Sequence, residues 1–106
     1  MKLLRVGPLG DEKVCALDNQ GRIRDLSSYL DDLNPDTINF KNLDHLKKIN
    51  LNEMKIISPT RIGSPVSRPG DFFAIGLNYR AHADKTKSEI KKEPIVFNKS
   101  TGCILG

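Results

Sequence analysis

The segment Ala74-Ile75-Gly76-Leu77-Asn78-Tyr79-Arg80-Ala81-His82 holds the densest set of residues able to do chemistry. An apolar run delivers the chain to a Gly turn. A turn that opens a helix exposes backbone N–H groups, which can bind an oxyanion or a carboxylate. Asn78 is placed to cap that helix, and Tyr79 and His82, three apart, would then share a face. A histidine there can give or take a proton near neutral pH. The same spacing also fits a capped strand–turn–helix junction with a hydrogen-bonded histidine, and spacing alone leaves both readings open. Lys99 follows a second apolar run, Ile95-Val96-Phe97. It could neutralise a substrate carboxylate or simply stand at the surface. Six basic residues from Arg80 to Lys99 against Asp84, Glu89 and Glu93 mildly favour an anionic ligand.

Little else in the chain points to chemistry. Cys15 and Cys103 lie far apart, which is neither a disulfide framework nor a metal-knuckle spacing, and they read as two small buried hydrophobes. His45 and His82 sit near no cysteine, so a structural zinc site is not expected. The net charge of +4 permits anionic partners without naming one. Acidic and basic residues are interspersed and no aromatic stripe accompanies the basic ones, which argues against nucleic acid. No apolar run approaches the roughly 20 residues that span a bilayer, and the start has no signal-peptide apolar region. The expectation is a soluble, cytoplasmic protein with no membrane partner.

The elements that must position these residues follow from pattern and punctuation. With 106 residues, 38% of them apolar, the chain is long enough for one domain, or for a small domain and part of another. Lys2–Val6, Val14–Leu17 and Arg22–Asp25 read as three short strands joined by turns, a β-meander. A short helix is expected around Leu26–Leu33, ended by Asn34-Pro35. A better helix is expected from Asn42 as N-cap, with Leu43, Leu46 and Ile49 on its apolar face and His45 on its surface. Met54–Ile57 reads as a strand. Ser58 to Gly70 carries three prolines and two glycines and reads as a connector, its Ile62 and Val66 packed against something. Phe72–Ile75 and Ile95–Phe97 read as buried strands flanking the Asn78 helix. The fold class expected is α+β, mostly β. Residues 1–69 would form a small N-terminal domain with one or two helices, and residues 70–106 the strand–helix–strand opening of a second, larger domain. The chain stops on apolar Cys103-Ile104-Leu105-Gly106, which suggests that more polypeptide or a neighbouring subunit completes that domain.

Gly76-Leu77-Asn78-Tyr79-Arg80-Ala81-His82, Lys92-Glu93-Pro94-Ile95-Val96-Phe97-Asn98-Lys99 and Ser100-Thr101 together resemble the opening of the fumarylacetoacetate hydrolase family's catalytic domain. Met1–Pro8, Asp18–Ser27 and Arg61–Gly70 resemble the small N-terminal domain of its bacterial members, often labelled ureidoglycolate lyase or 2-hydroxyhepta-2,4-diene-1,7-dioate isomerase. The resemblance covers essentially the whole chain. It implies a mixed β-roll catalytic domain, dimers, and a divalent metal, usually Mg²⁺ and sometimes Mn²⁺ or Ca²⁺. It implies a small anionic keto-acid or enol-acid substrate, hydrolysed, cleaved or isomerised through a metal-stabilised enolate. By the same resemblance His82 is the catalytic histidine, Gly76, Leu77, Asn78 and Tyr79 line the site, and Lys99 helps bind substrate.

Two departures shape the expectation. Many members carry a Glu three residues after the histidine; here that position is Lys85, with Asp84 and Glu89 nearby. The family's metal ligands, a Glu-x-Glu pair and a later Asp, would fall beyond Gly106, and no Glu-x-Glu occurs in the chain. The chain alone is therefore expected to bind no catalytic metal and to be inactive, with a homodimer or a second chain completing the site. A non-catalytic ligand-binding or assembly module is the alternative.

Overall fold

The computed structural model describes residues 1–59, 61–79 and 93–106. They form two antiparallel sheets and one helix, an α+β arrangement that is mostly β. The chain divides into two compact units, Met1–Pro69 with Ile104–Gly106, and Gly70–Cys103.

The first unit is a four-stranded sheet in the order β1-β2-β3-β4, all antiparallel. β1 (Lys2–Val6) pairs with β2 (Lys13–Leu17), β2 with β3 (Ile23–Asp25), and β3 with the two-residue β4 (Ile56–Ile57). The expected meander is present, and the expected strand at 54–57 is shortened to its last two residues. Residues directly opposite in a ladder share a face. Leu3 and Arg5 of β1 therefore stand with Ala16 and Val14 of β2 and Arg24 of β3. That face carries the core: Val14, Ala16, Leu26, Leu33 and Leu46 are buried, with Leu3, Leu30, Ile49, Leu51 and Met54 packed against them.

The helix α1 (Phe40–Lys47) begins two residues before Asn42, the expected cap. Asn39 is the N-cap; its side chain accepts from the Asn42 N–H at 2.9 Å, while Asn42 instead donates to the Thr37 carbonyl. His45 and Lys47 sit in the last turn, where the helix dipole favours positive charge. Leu46 is its one buried residue, and His45 lies on the surface as expected.

No helix forms over Leu26–Leu33. The segment makes a single turn, in which the Tyr29 and Leu30 N–H groups both bond the Leu26 carbonyl. Asp25 caps it by accepting from the Ser27 N–H and hydroxyl. Beyond that turn the Asp32 carboxylate is held by the distant Arg5 Nε and by the neighbouring Leu33 N–H, local and long-range bonds that compete with helix.

The connector is not loose. The Gly63 N–H donates to the Arg5 carbonyl at 2.7 Å, the Gly7 N–H to the Arg61 carbonyl at 3.1 Å, and the Ser67 N–H to the Leu33 carbonyl at 2.7 Å. Ile62, expected to pack, bridges to Val6 through its backbone and leaves its side chain exposed. Gly7 has a φ of +128°, and a Cβ there would stand 3.0 Å from the Asp11 carbonyl oxygen, so the β1–β2 turn requires glycine.

The second unit is a hairpin, β5 (Phe72–Gly76) against β6 (Ile95–Lys99), with Phe72 opposite Lys99 and Gly76 opposite Ile95. Both strands were expected to be buried, and neither is. Phe73, Ile75, Val96 and Phe97 are each about half exposed, because among the described residues no second layer covers the two-stranded sheet. Cys103, expected to be buried, is also exposed.

Leu26 and Leu46 are the largest fully buried side chains of the first unit. Truncating either to alanine is expected to cost about 2–5 kcal/mol through lost burial and the cavity left behind. Urea unfolding followed by circular dichroism measures this; a loss below about 1 kcal/mol at both sites would contradict the core assignment.

Candidate functional site

Gly76 ends β5 with the Phe97 ring lying across its Cα; a Cβ there would meet a ring carbon at 2.5 Å. Only glycine lets the ring pack so close without a shift. Leu77 then turns the chain through a φ of +52°, the left-handed region, at a cost of roughly 1 kcal/mol for a branched L-residue. Strained conformations of this kind cluster at functional sites, though Arg68 in the connector is also left-handed with a φ of +44°. Asn78 and Tyr79 follow and are exposed, Tyr79 to 75%. His82 and the expected helix lie in residues 80–92, outside the described residues.

Lys99 shares the sheet face of Gly76, since Phe72/Lys99, Ala74/Phe97 and Gly76/Ile95 are directly opposite pairs. It stands at the other end of the ladder, four positions away, about 13 Å along the strand. The turn Gly76–Tyr79 is therefore brought together by local sequence, and Lys99 is aligned with it but not beside it. Among the described residues no group of three or more His, Cys, Asp or Glu side chains could hold a metal ion. The described residues therefore do not by themselves supply the cluster of oxygen ligands that a divalent metal needs.

The most developed polar cluster was not signalled as a site by sequence. Arg5, only 6% exposed, donates through Nε to Asp32 Oδ1 at 2.6 Å and through Nη2 to Glu12 Oε2 at 3.2 Å. Its Nη1 lies 3.3 Å from the Ser64 carbonyl. Arg61 Nη1 donates to the other Glu12 oxygen at 2.7 Å. Arg61 holds the Glu12 carboxyl below its ordinary value, outweighing burial, with help from Arg5. Burial raises Asp32, but bonds from Arg5, Ser67 and the Leu33 N–H outweigh it and leave the carboxyl low. Asp18 behaves likewise: burial raises it, and the Arg22 N–H and the Arg22 and Arg24 guanidinium groups overcome that and hold it far below the usual range. Its Oδ2 accepts from Arg22 Nε at 2.8 Å and from Arg24 Nε at 2.9 Å. Arg24 also donates to the Met54 carbonyl at 2.8 Å, tying β3 to the turn at Leu51–Glu53.

Among the described residues no buried side-chain polar atom lacks a partner. These charges are consumed internally, so they hold the fold and offer nothing to a ligand. Beside them a cleft of about 220 Å³ is lined by Val6, Gly7, Pro8, Lys13, Ile57 and Pro59. It lies below the range of most ligand sites. Cys15 is fully buried, and burial pushes its thiol up to about 11, which removes it as a nucleophile at neutral pH.

The chain is 46% identical over 107 aligned residues to a protein of Burkholderia ambifaria named "Putative hydrolase". It is 45% identical over the same length to proteins of Burkholderia lata and Burkholderia multivorans whose names likewise begin "Putative hydrolase". In each case the match covers 100% of this chain and 38% of the relative, so the chain spans well under half the length of the proteins it matches. No protein-family model matches the chain. The chain is thus a homologue, over its whole length, of one portion of proteins named as hydrolases. No helix among the described residues is long and apolar enough to cross a membrane.

Two outcomes follow from the buried charges and thiols. Glu12 and Asp32 have lowered values in the folded state, so their stabilisation is complete above the ordinary carboxylate range and is lost as pH falls through the folded values. The urea midpoint of the native chain should hold steady from pH 7 to about pH 4.5 and fall below it, whereas Glu12→Gln should start lower at pH 7 and fall less. A midpoint that rises on acidification would contradict the assignment. With a thiol-titrating disulfide reagent at pH 8, one thiol, Cys103, should react at once and Cys15 only on unfolding. Rapid reaction of two thiols in the folded chain would place Cys15 elsewhere.

Proposed function

We propose that this chain is the N-terminal part of a fumarylacetoacetate-hydrolase-family enzyme acting on a keto or enol acid. The observation that carries the reading is the pair of spaced motifs, Gly76 to His82 and Lys92 to Thr101, within a chain homologous from end to end to proteins named as hydrolases. The left-handed turn at Leu77 supports it, since backbone strain of this kind clusters at functional turns. In this reading the Gly76–Tyr79 turn faces substrate oxygens, His82 moves a proton, and Lys99 offers a positive charge to a carboxylate. The divalent-metal ligands belong to polypeptide outside the matched part, and the isolated chain is inactive. Lys85 in place of the family's usual Glu favours a second reading, a non-catalytic ligand-binding or assembly module.

The test is a chimera in which this chain replaces the matched residues of the Burkholderia ambifaria relative, assayed on a panel of β-keto and enol acids with Mg²⁺ or Mn²⁺. Turnover abolished by chelator is expected. His82→Ala should lower kcat by about 10²-fold or more. Lys99→Ala should raise KM about tenfold, the loss of roughly one charge-assisted bond. A folded chimera inert on the whole panel supports the non-catalytic module, and metal-dependent turnover by the 106-residue chain alone refutes the division of labour.

A further inference from the structure

The connector residues 61–63 run antiparallel beside the end of β1. The Gly63 N–H donates to the Arg5 carbonyl, the Gly7 N–H donates to the Arg61 carbonyl, and Ile62 bridges to Val6. Further along, the Ser67 N–H donates to the Leu33 carbonyl at 2.7 Å. Residues 61–67 are thus a strap fastened at one end to the β1 edge and at the other to the turn before α1.

What holds the strap is polar. None of its residues belongs to the apolar core cluster, and Ile62 is 59% exposed. Its near-end latch is Glu12, whose side chain is only 5% exposed and lies over the Gly63 backbone. A Cβ on Gly63 would stand 2.9 Å from the Glu12 Cγ. One Glu12 oxygen accepts from Arg61 at 2.7 Å, the other from Arg5 at 3.2 Å and from the Gly10 N–H at 3.1 Å. The far-end latch is Asp32, which accepts from Ser67. Arg5 reaches the strap only through the Ser64 carbonyl and hydroxyl, at 3.3 and 3.4 Å. If the strap leaves, Arg5 keeps Asp32 and Glu12, and water replaces Ser64, so the buried charge is not stranded. The β1–β4 ladders and the core cluster contain no strap residue. Segments with few buried apolar contacts open at lower free energy than the core.

We infer that residues 61–67 detach from β1 as one unit while the sheet stays folded, with Glu12 and Asp32 as the two latches. Detachment bares the Arg5 carbonyl and the Gly7 N–H on the β1 edge. It also turns a bonded connector into a free lead to the second unit, which starts at Gly70. The inference does not rest on the keto-acid reading.

The test is amide hydrogen exchange, read residue by residue by NMR at several urea concentrations below the unfolding transition. Gly7, Gly63 and Ser67 report on the strap, and Leu26, whose N–H bonds the Val14 carbonyl, reports on the sheet. The three strap amides should share one protection factor, at least about tenfold below that of Leu26. That factor should be insensitive to urea, because detachment exposes little apolar surface, whereas Leu26 protection should fall with urea. Glu12→Gln removes the charge of one latch and should lower protection about tenfold at all three strap amides, Ser67 at the far end included. Ser67→Pro removes the donors to Leu33 and Asp32 at the other end and should lower Gly7 and Gly63 together. The proposal is overturned by strap amides that share the protection and urea slope of Leu26. It is equally overturned if either variant changes only the amides at its own end. A Glu12→Gln chain that no longer folds also overturns it, because the sheet would then depend on the closed strap.

Discussion

A guanidinium taken out of water must be met by acceptors on nearly every side, or the fold that buries it does not form. Arg5 sets that constraint for the first unit. It projects from β1 onto the core face of the sheet, opposite Val14, where an apolar side chain would be the ordinary choice. Its acceptors come from three separate places: Glu12 in the β1–β2 turn, Asp32 in the turn before α1, and Ser64 in the connector. Each of those segments is irregular and would be free to drift if judged by its own hydrogen bonds. The buried charge specifies their positions together, and Arg61 closes the ring by taking the second oxygen of Glu12. Arg24 repeats the device from β3, fixing Asp18 in the turn behind it and the carbonyl of Met54 beyond. The sheet is thus bounded by two inward-pointing arginines, with the apolar cluster of Val14, Ala16, Leu26, Leu33 and Leu46 also on that side.

Much of this was beyond reach of pattern reading, for a physical reason. Strands announce themselves locally, and β1, β2 and β3 were legible from short apolar runs separated by Gly, Pro and Asn turns. Buried ion pairs do not, because Arg5 and its acceptors are 7, 27 and 59 positions apart. In sequence Arg5 looks like a charge that interrupts an apolar run. Over the helix expected at Leu26–Leu33 the capping residue is present and one turn forms, while Asp32 near its far end is engaged by the distant Arg5. The start of α1 is hard to place from sequence for a more local reason. Asn39 and Asn42 are both able to cap, and the exposed Phe40 between Asn39 and the amphipathic stretch disguises the true first turn.

The two units stand at opposite ends of a scale of self-sufficiency. In the first, buried polar atoms have partners, the core is closed, and the connector is pinned by backbone bonds to Arg5, Gly7 and Leu33. In the second, apolar side chains that sequence reading placed in a core are half exposed on a two-stranded sheet. Runs such as Phe72-Phe73-Ala74-Ile75 and Ile95-Val96-Phe97 have the composition of strands covered on both faces. Among the described residues nothing supplies the second layer that such a composition goes with.

The candidate site was legible only as far as its chemistry is local. The Gly76-Leu77 turn can be read from the sequence because a glycine after an apolar run marks a tight turn, and the structure adds why it is needed: Phe97 occupies the space a side chain would fill, and Leu77 is left-handed. The relation of Lys99 to that turn is a matter of register, and register is not written in either strand alone. Pairing Phe72 with Lys99 aligns the lysine with the Gly76 face yet sets it at the far end of the ladder. A ligand that used both would have to be elongated along the sheet, or be approached by further groups in the gap between them. The exposed ring of Phe97 lies midway on that same face, so the middle of any such ligand would meet an apolar surface and its ends the polar groups. The spacing of these groups follows from strand register rather than from any single motif.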